Sequence, residues 1–199
     1  MSKDINMDLV RQLREKTSAG ILDCKAALSE AGDDIEKAVA ILRKKGAQMA
    51  TKKASRETKQ GHIEAYIHHG AKIGVLLEVD CETDFVAKND DFRRFVKDCA
   101  MQIAATSPRY ISRDEVPISV LESERDIIKE QMKGKSAQVV EKAVPGRLEK
   151  FYQQACLLEQ PFIKDEKVFI KDILAALVGK IGENTIIKRF VRFHVGVEQ

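Results

Sequence analysis

An α+β fold is predicted for this chain, with an N-terminal three-helix bundle followed by a core in which a three-stranded antiparallel sheet packs against helices. Three observations predict it. Residues 6–46 hold three short amphipathic segments, each with its own apolar stripe and stop signal. Two strand-like runs between 62 and 79 flank a glycine-containing turn. A β-branched and aromatic run, TIIKRFVRFHV, follows a series of helical segments near the C-terminal end. With 199 residues, 44% hydrophobic and 33% charged, and only 4 Pro and 11 Gly, the composition excludes global disorder and collagen-like repeats.

In the first segment, Asn6 can cap a helix whose Leu9, Val10 and Leu13 share one face, and Thr17-Ser18-Ala19-Gly20 breaks it. The second carries Ile21, Cys24, Ala27, Leu28 and Ala31 on one stripe, with Gly32 placed for a left-handed C-cap. Asp33 with Glu36 resembles a capping box for the third, whose face is Ile35, Ala38, Val39 and Leu42 and whose expected stop is Gly46. Residues 47–61 then lose periodicity and carry Lys52, Lys53, Arg56 and Lys59, which predicts a polar linker that is partly helical. The expected division is residues 1–55 for the bundle and linker start, and residues 56–199 for the α+β core.

Ile63, Ala65 and Ile67 alternate with Glu64, Tyr66 and His68, and IGVLLEV at 73–79 is nearly all apolar, which predicts a hairpin closed by His69-Gly70-Ala71-Lys72. Asn89 or Asp90 can cap a helix bearing Phe92, Phe95, Val96, Cys99, Ala100 and Ile103, ending before Ser107-Pro108. Leu121, Ile128 and Met132 mark another helix that Gly134 ends. Residues 136–155 are helical in composition, but Pro145-Gly146 predicts two shorter helices. Ile170, Ile173, Leu174, Leu177 and Ile181 form a last helical stripe before Gly182. In the closing run, Ile187, Val191, Phe193 and Val195 stand two or four apart and predict a third strand beside the hairpin.

The net charge, 34 Lys+Arg against 31 Asp+Glu, is +3, too small to make phosphate binding the default expectation, so no direct nucleic-acid partner is expected. No apolar run approaches the roughly 20 residues that cross a bilayer, and MSKDINMDLV lacks the apolar core of a signal peptide, so a cytoplasmic protein without a membrane partner is expected. Cys24, Cys81, Cys99 and Cys156 form no C-x-x-C pair and are expected to be buried thiols.

No phosphate loop, dinucleotide fingerprint or nucleophile–base pair is spelled out, so no catalytic residue, no cofactor and no enzyme activity are expected. His68 and His69, as strand neighbours, point to opposite faces and do not converge on one metal ion. Glu82, Asp84, Asp90 and Asp91 have the composition of a Mg2+ site, although carboxylates near a helix start serve more often as caps. Thr83-Asp84-Phe85-Val86 stands out, because an acid and a large aromatic sit together between a strand and a helix. Taken alone, these residues fit either a Phe85 tucked into local core with Asp84 capping a turn, or a functional loop.

Three segments together resemble the translation elongation factor Ts family: LREKTSAGILDCKAAL at 13–28, HHGAKIGVLLEVDCETDFVAKND at 68–90 and KIGENTIIKRFVRFHVG at 180–196. The length resembles the family's short form with a single core module. Ser18, where the family usually has Gly, and Pro145 depart from the pattern. The resemblance implies a guanine-nucleotide exchange factor for elongation factor Tu. It implies that the bundle, similar to ubiquitin-associated domains, docks on the partner's nucleotide-binding domain through Arg14, Ile21, Leu22 and Lys25. It implies that Thr83, Asp84, Phe85 and Val86 form the segment that disturbs the partner's Mg2+ and phosphate site, with Phe85 as a wedge. A hairpin contact through His68 or His69 and a homodimer in a two-plus-two complex also follow from the resemblance. The competing expectation is an RNA- or ribosome-binding adaptor using Lys52, Lys53, Arg56, Lys188, Arg189 and Arg192 on phosphates, without exchange activity.

Overall fold

The structure is a computed structural model and describes residues 6–17 and 19–197. Ser18 lies outside the described residues, so the expectation attached to it has no structural counterpart.

The bundle is formed by α1 (Met7–Thr17), α2 (Ile21–Ala31) and α3 (Ile35–Lys53). Asn6 accepts the Asp8 N–H at 2.9 Å as the α1 cap. Val10, Leu13, Cys24, Ala27, Leu28 and Ala38 make one buried cluster, as the stripes predicted. Gly32 is left-handed (φ 65°) and returns its N–H to the Leu28 carbonyl. Asp33 is also left-handed (φ 67°), so the cap of α3 falls one residue later than expected, on Asp34, which accepts the Lys37 N–H at 3.0 Å.

The core follows in the order β1 (Gln60–Ile67), β2 (Ile73–Cys81), the single turn α4 (Asp84–Ala87), α5 (Asp90–Thr106), α6 (Ile118–Gln131), α7 (Ala137–Ala155), β3 (Pro161–Phe162), β4 (Asp165–Phe169), α8 (Ile170–Ile181) and β5 (Thr185–His194). The three-stranded antiparallel sheet has the order β1-β2-β5, so the chain's last strand joins the hairpin on the β2 side. Its inner face, with Val75, Leu77, Val79, Cys81 and Ile187, packs against the predicted α5 stripe of Phe92, Phe95, Val96, Cys99, Ala100 and Ile103. Asn89 is the cap that starts α5, accepting the Asp91 and Phe92 N–H groups at 2.8 and 3.4 Å. All four cysteines are buried free thiols. Among the described residues, no helix is long and apolar enough to cross a membrane.

Three local expectations change, and one element appears that the sequence did not announce. Gly46 does not stop α3. The helix runs on to Lys53, and a Cβ at Gly46 would stand 3.1 Å from the Ala175 carbonyl oxygen of α8, so the glycine is where two helix backbones meet closely. The first part of the expected linker is therefore helix held by tertiary packing.

Pro145 sits inside a continuous α7. Pro145 and Gly146 are exposed, so water can reach the turn in which Pro145 supplies no N–H, while Leu148, Phe151 and Ala155 continue the buried face.

A bulge at Lys188 shifts the β2–β5 register between Glu78 and Val79. Ile187 consequently points into the core, whereas Val191 and Phe193 lie on the opposite face, and the four apolar residues do not form one row.

The β3–β4 ribbon, which no periodicity announced, is pinned to α5 by buried Gln102. Its Oε1 accepts the Ile163 N–H at 2.9 Å, and its Nε2 donates to the Pro161 carbonyl at 3.1 Å.

Candidate functional site

At the end of β2 the strand gives way to the single turn of α4, which Thr83, in extended conformation (φ −127°), caps by accepting the Val86 N–H at 3.3 Å. Val86 and Ala87 are buried on one side of that turn and anchor it to the core. Phe85 points the other way and is 83% exposed. The local-core reading of Phe85 is thereby excluded. Water around a large aromatic ring is unfavourable, and an apolar group held out in this way marks a surface that another molecule can cover. Asp84 beside it is exposed and pairs with Lys88 one turn on, at 2.5 Å.

A single helical turn is marginal on its own, since nucleation fixes several dihedrals for one hydrogen bond. Here the missing support comes from 100 residues further along the chain. Glu183 accepts the Thr83 N–H at 3.0 Å and the Thr83 hydroxyl at 2.7 Å. The neighbouring Asn184 donates its N–H to Glu82 at 2.6 Å and its side-chain amide to the Arg56 carbonyl at 2.9 Å. Lys53, the last residue of α3, donates to the carbonyl of Gly182, the left-handed residue (φ 77°) that ends α8. Glu82 also faces Arg56 at 3.5 Å. The ends of α3, α8 and β2 therefore meet at the base of the Phe85 turn.

This junction is what sequence reasoning missed. Glu183 and Asn184 sit in a short turn with no periodicity, and Glu82 read as one of four scattered carboxylates. Those four do not gather: Glu82 faces Arg56 and Asn184, Asp84 faces Lys88, and Asp91 faces Lys180 at 2.7 Å. Among the described residues no group of three or more metal-ligating side chains converges. Burial, with the Glu183 charge adding to it, pushes the Cys81 thiol up to about 11, and its Sγ donates to the Thr83 carbonyl at 3.2 Å. That thiol is a packing group.

The other predicted contact residues fall in two places. On α2, Leu22 is 80% exposed, Ile21 is exposed as well, Lys25 is half-buried, and Arg14 is exposed on α1. Ile21 thus belongs to the surface rather than to the bundle core. His68 and His69 lie exposed in the hairpin turn, with Tyr66 Oη 3.0 Å from His68 Nδ1. That turn is at the far end of the nine-residue β2 from α4, about 26 Å away at 3.3 Å per residue. The histidines and Phe85 cannot share one contact point.

A groove of about 510 Å3 runs between the bundle and the core, lined by Leu42, Met49, Phe95 and Ile173 among mixed charges, and it includes no residue of 83–86. A second apolar surface is the outer face of the sheet, where Ile63 and Ile67 are 64% and 65% exposed beside Leu76 and Phe193. The register puts these residues on one face, with the Arg189–Glu78 pair at its edge.

A sequence profile described as Elongation factor TS matches residues 3–197. Elongation factor Ts of Carboxydothermus hydrogenoformans is 56% identical over 194 residues, which cover 96% of this chain and 89% of that protein. Elongation factor Ts of Fervidobacterium nodosum is 55% identical, covering 97% of this chain and 99% of that one. That of Thermodesulfovibrio yellowstonii is 55% identical over 98% of both chains.

Proposed function

The chain belongs to the elongation factor Ts family of translation elongation factors, and from that premise we propose that it is a guanine-nucleotide exchange factor for elongation factor Tu. It binds the GDP-bound partner in the cytoplasm, disturbs the Mg2+ and phosphate site, and promotes GDP release during elongation. It performs no covalent step.

The observation that carries this reading is Phe85, a large aromatic held out on a turn whose other side is buried and whose start is clamped. Inserted between elements of the partner's nucleotide domain, it acts as the wedge, with Thr83, Asp84 and Val86 shaping the segment. Fully burying a Phe is worth about 1.5–3 kcal/mol, roughly ten- to a hundredfold in an equilibrium constant, so the wedge needs further contact area to hold it. Arg14, Ile21, Leu22 and Lys25 of the bundle supply it. Because binding couplings are reciprocal, a factor that weakens GDP is itself displaced when nucleotide and Mg2+ return, so exchange speeds up without a shift in the nucleotide equilibrium.

The homodimer belongs to the same reading. Two copies packing their outer sheet faces, with Ile63, Ile67, Leu76 and Phe193 at the contact, would cover the exposed apolar rows. Each hairpin turn, with His68 and His69, is then free to meet the second partner molecule in a two-plus-two complex. The division at 55/56 into bundle and core is supported by their separate apolar clusters.

Stopped-flow release of a fluorescent GDP from elongation factor Tu tests the reading. A saturable acceleration with rising chain concentration is expected. No acceleration with a folded cognate partner would sink it and leave the RNA-binding adaptor. Light scattering on the chain and on Leu76→Arg tests the dimer: a dimer that becomes monomeric is expected, and a monomeric unaltered chain overturns it.

A further inference from the structure

We propose that Glu183 is a positioning residue for exchange, and that it acts by setting the orientation of the Phe85 turn through Thr83. This rests on the wedge reading of Phe85 above.

A four-residue helix is too short to orient itself. Its Ala87 N–H reaches back to the Thr83 carbonyl at 3.2 Å, and its direction must be imposed from outside. Burial of Val86 and Ala87 holds one side of the turn against the core, and Cys81 Sγ and Arg93 Nε reach the carbonyls of Thr83 and Ala87 at 3.2 and 3.4 Å, yet apolar contact is non-directional and these bonds, one from a weak thiol donor and one long, fix the roll of the turn only loosely. The Glu183 carboxylate removes that freedom. It takes both the N–H and the hydroxyl of Thr83, at 3.0 and 2.7 Å, and two hydrogen bonds to the two oxygens of one carboxylate fix direction as well as distance. The hydroxyl in turn accepts the Val86 N–H at 3.3 Å, so the orientation is passed from Glu183 into the turn that carries Phe85.

Glu183 is itself held from both sides. Gly182 before it receives Lys53, and Asn184 after it, 4% exposed, binds the Arg56 carbonyl and Glu82. The clamp is therefore referenced to the end of α3, the helix whose other end carries the bundle. Phe85 and the bundle contacts are set in one frame through Glu183 and its neighbours, although they are far apart in sequence.

Glu183 is only half-buried and is not a member of the core cluster, so its removal is expected to misorient the turn and leave the fold standing. Glu183→Ala should lower the maximal rate of GDP release about tenfold, since small misplacements of an acting group cost rate steeply. The half-saturating concentration should change by less than about threefold, because the bundle contacts are untouched. Glu183→Gln, which keeps an acceptor oxygen at the same reach, should stay within about threefold of the unaltered chain. Thr83→Val, which loses the hydroxyl bond to Glu183 and the cap on Val86 but keeps the backbone N–H bond, should also be slow, and the double variant should be slower than the slower single one by less than the product of the two losses, because the variants share the hydroxyl–carboxylate link.

Thermal unfolding of each variant is recorded beside the kinetics. A Glu183→Ala chain with unchanged maximal rate overturns the proposal. So does an equal loss in the Ala and Gln variants that tracks a fall in melting temperature, which would make Glu183 a stability residue. If Glu183→Ala does not fold, Thr83→Val carries the same test. Phe85→Ala runs alongside: if it releases GDP at the unaltered rate, the wedge reading falls and this proposal with it. If it is slow while Glu183→Ala and Thr83→Val are fast, only the proposal falls.

Discussion

Helix α2 and the turn α4 both hold a large apolar side chain out in water, Leu22 on the first and Phe85 on the second, but they do it by different means. Leu22 rides on an eleven-residue helix whose opposite stripe of Cys24, Ala27 and Leu28 is buried. The helix is long enough to orient itself by its own periodicity, and burial of the stripe fixes which face looks outward. Phe85 rides on four residues that cannot do this, and its orientation comes from Thr83, Glu183 and the junction behind them. An exposed apolar contact can be presented by local pattern or by distant polar bonds. The two presentations fail in different ways when their supports are removed.

The contrast is broken most strongly by removing the anchor of α2. Leu28→Ala deletes a side chain with no solvent exposure and should cost about 2–5 kcal/mol, seen as early loss of bundle amide protection in hydrogen exchange while the sheet stays protected. Uniform loss across both regions would show that the bundle has no stability of its own.

The next effect is on rate. Phe85→Ala should reduce the maximal rate of GDP release ten- to a hundredfold, about 1.4–2.7 kcal/mol, with stability changed by no more than about 0.5 kcal/mol in urea titration. A destabilised Phe85→Ala chain would mean that the ring packs somewhere after all.

Leu22→Ala should act mainly on binding, raising the half-saturating concentration about three- to tenfold and leaving the maximal rate near that of the unaltered chain. A drop in maximal rate instead would merge the two contact points into one function.

The smallest effect is on the acid slope of stability and concerns another carboxylate, Glu159, which uses the same device for stability alone. It is almost fully buried and pairs with Arg113 at 2.7 Å and Lys171 at 2.8 Å, tying the base of the α6–α7 hairpin to α8. The Arg113 hydrogen bond, helped by Lys171 and opposed by burial, holds its carboxyl below the usual carboxylate range. The unfolded chain therefore takes up this proton first as pH falls. The contribution is complete above the ordinary value of 4.5 and is lost as pH drops through the depressed folded value. Urea midpoints measured from pH 7 to 3 should fall more steeply below about pH 4.5 in the unaltered chain than in Glu159→Gln. Parallel curves would remove Glu159 from that role.

How far each region was legible follows the same division. The α2 and α5 stripes, the Gly32 cap and the Asn89 cap are spelled out within three or four residues, and they form as the spacing requires. The T-D-F-V segment drew notice by composition, yet its residues alone left Phe85 between core and surface. Nothing near it in the chain names Glu183, because a hydrogen bond across 100 residues leaves no local period to detect.

Element types and most of their order were legible along the chain, since helix and strand periods are written by side chains that are close in sequence. Packing in three dimensions settled that Gly46 passes a helix rather than ending it, because α8 approaches its backbone too closely for a side chain. It decided that Pro145 is carried through α7 by the burial of Leu148 and Phe151 on its far side. It decided which apolar residues of β5 face the core, because one bulge at Lys188 reverses the alternation. It also decided that Phe85 faces water, because that direction is set by where the ends of α3 and α8 come to rest, and local propensity is silent about where distant ends meet.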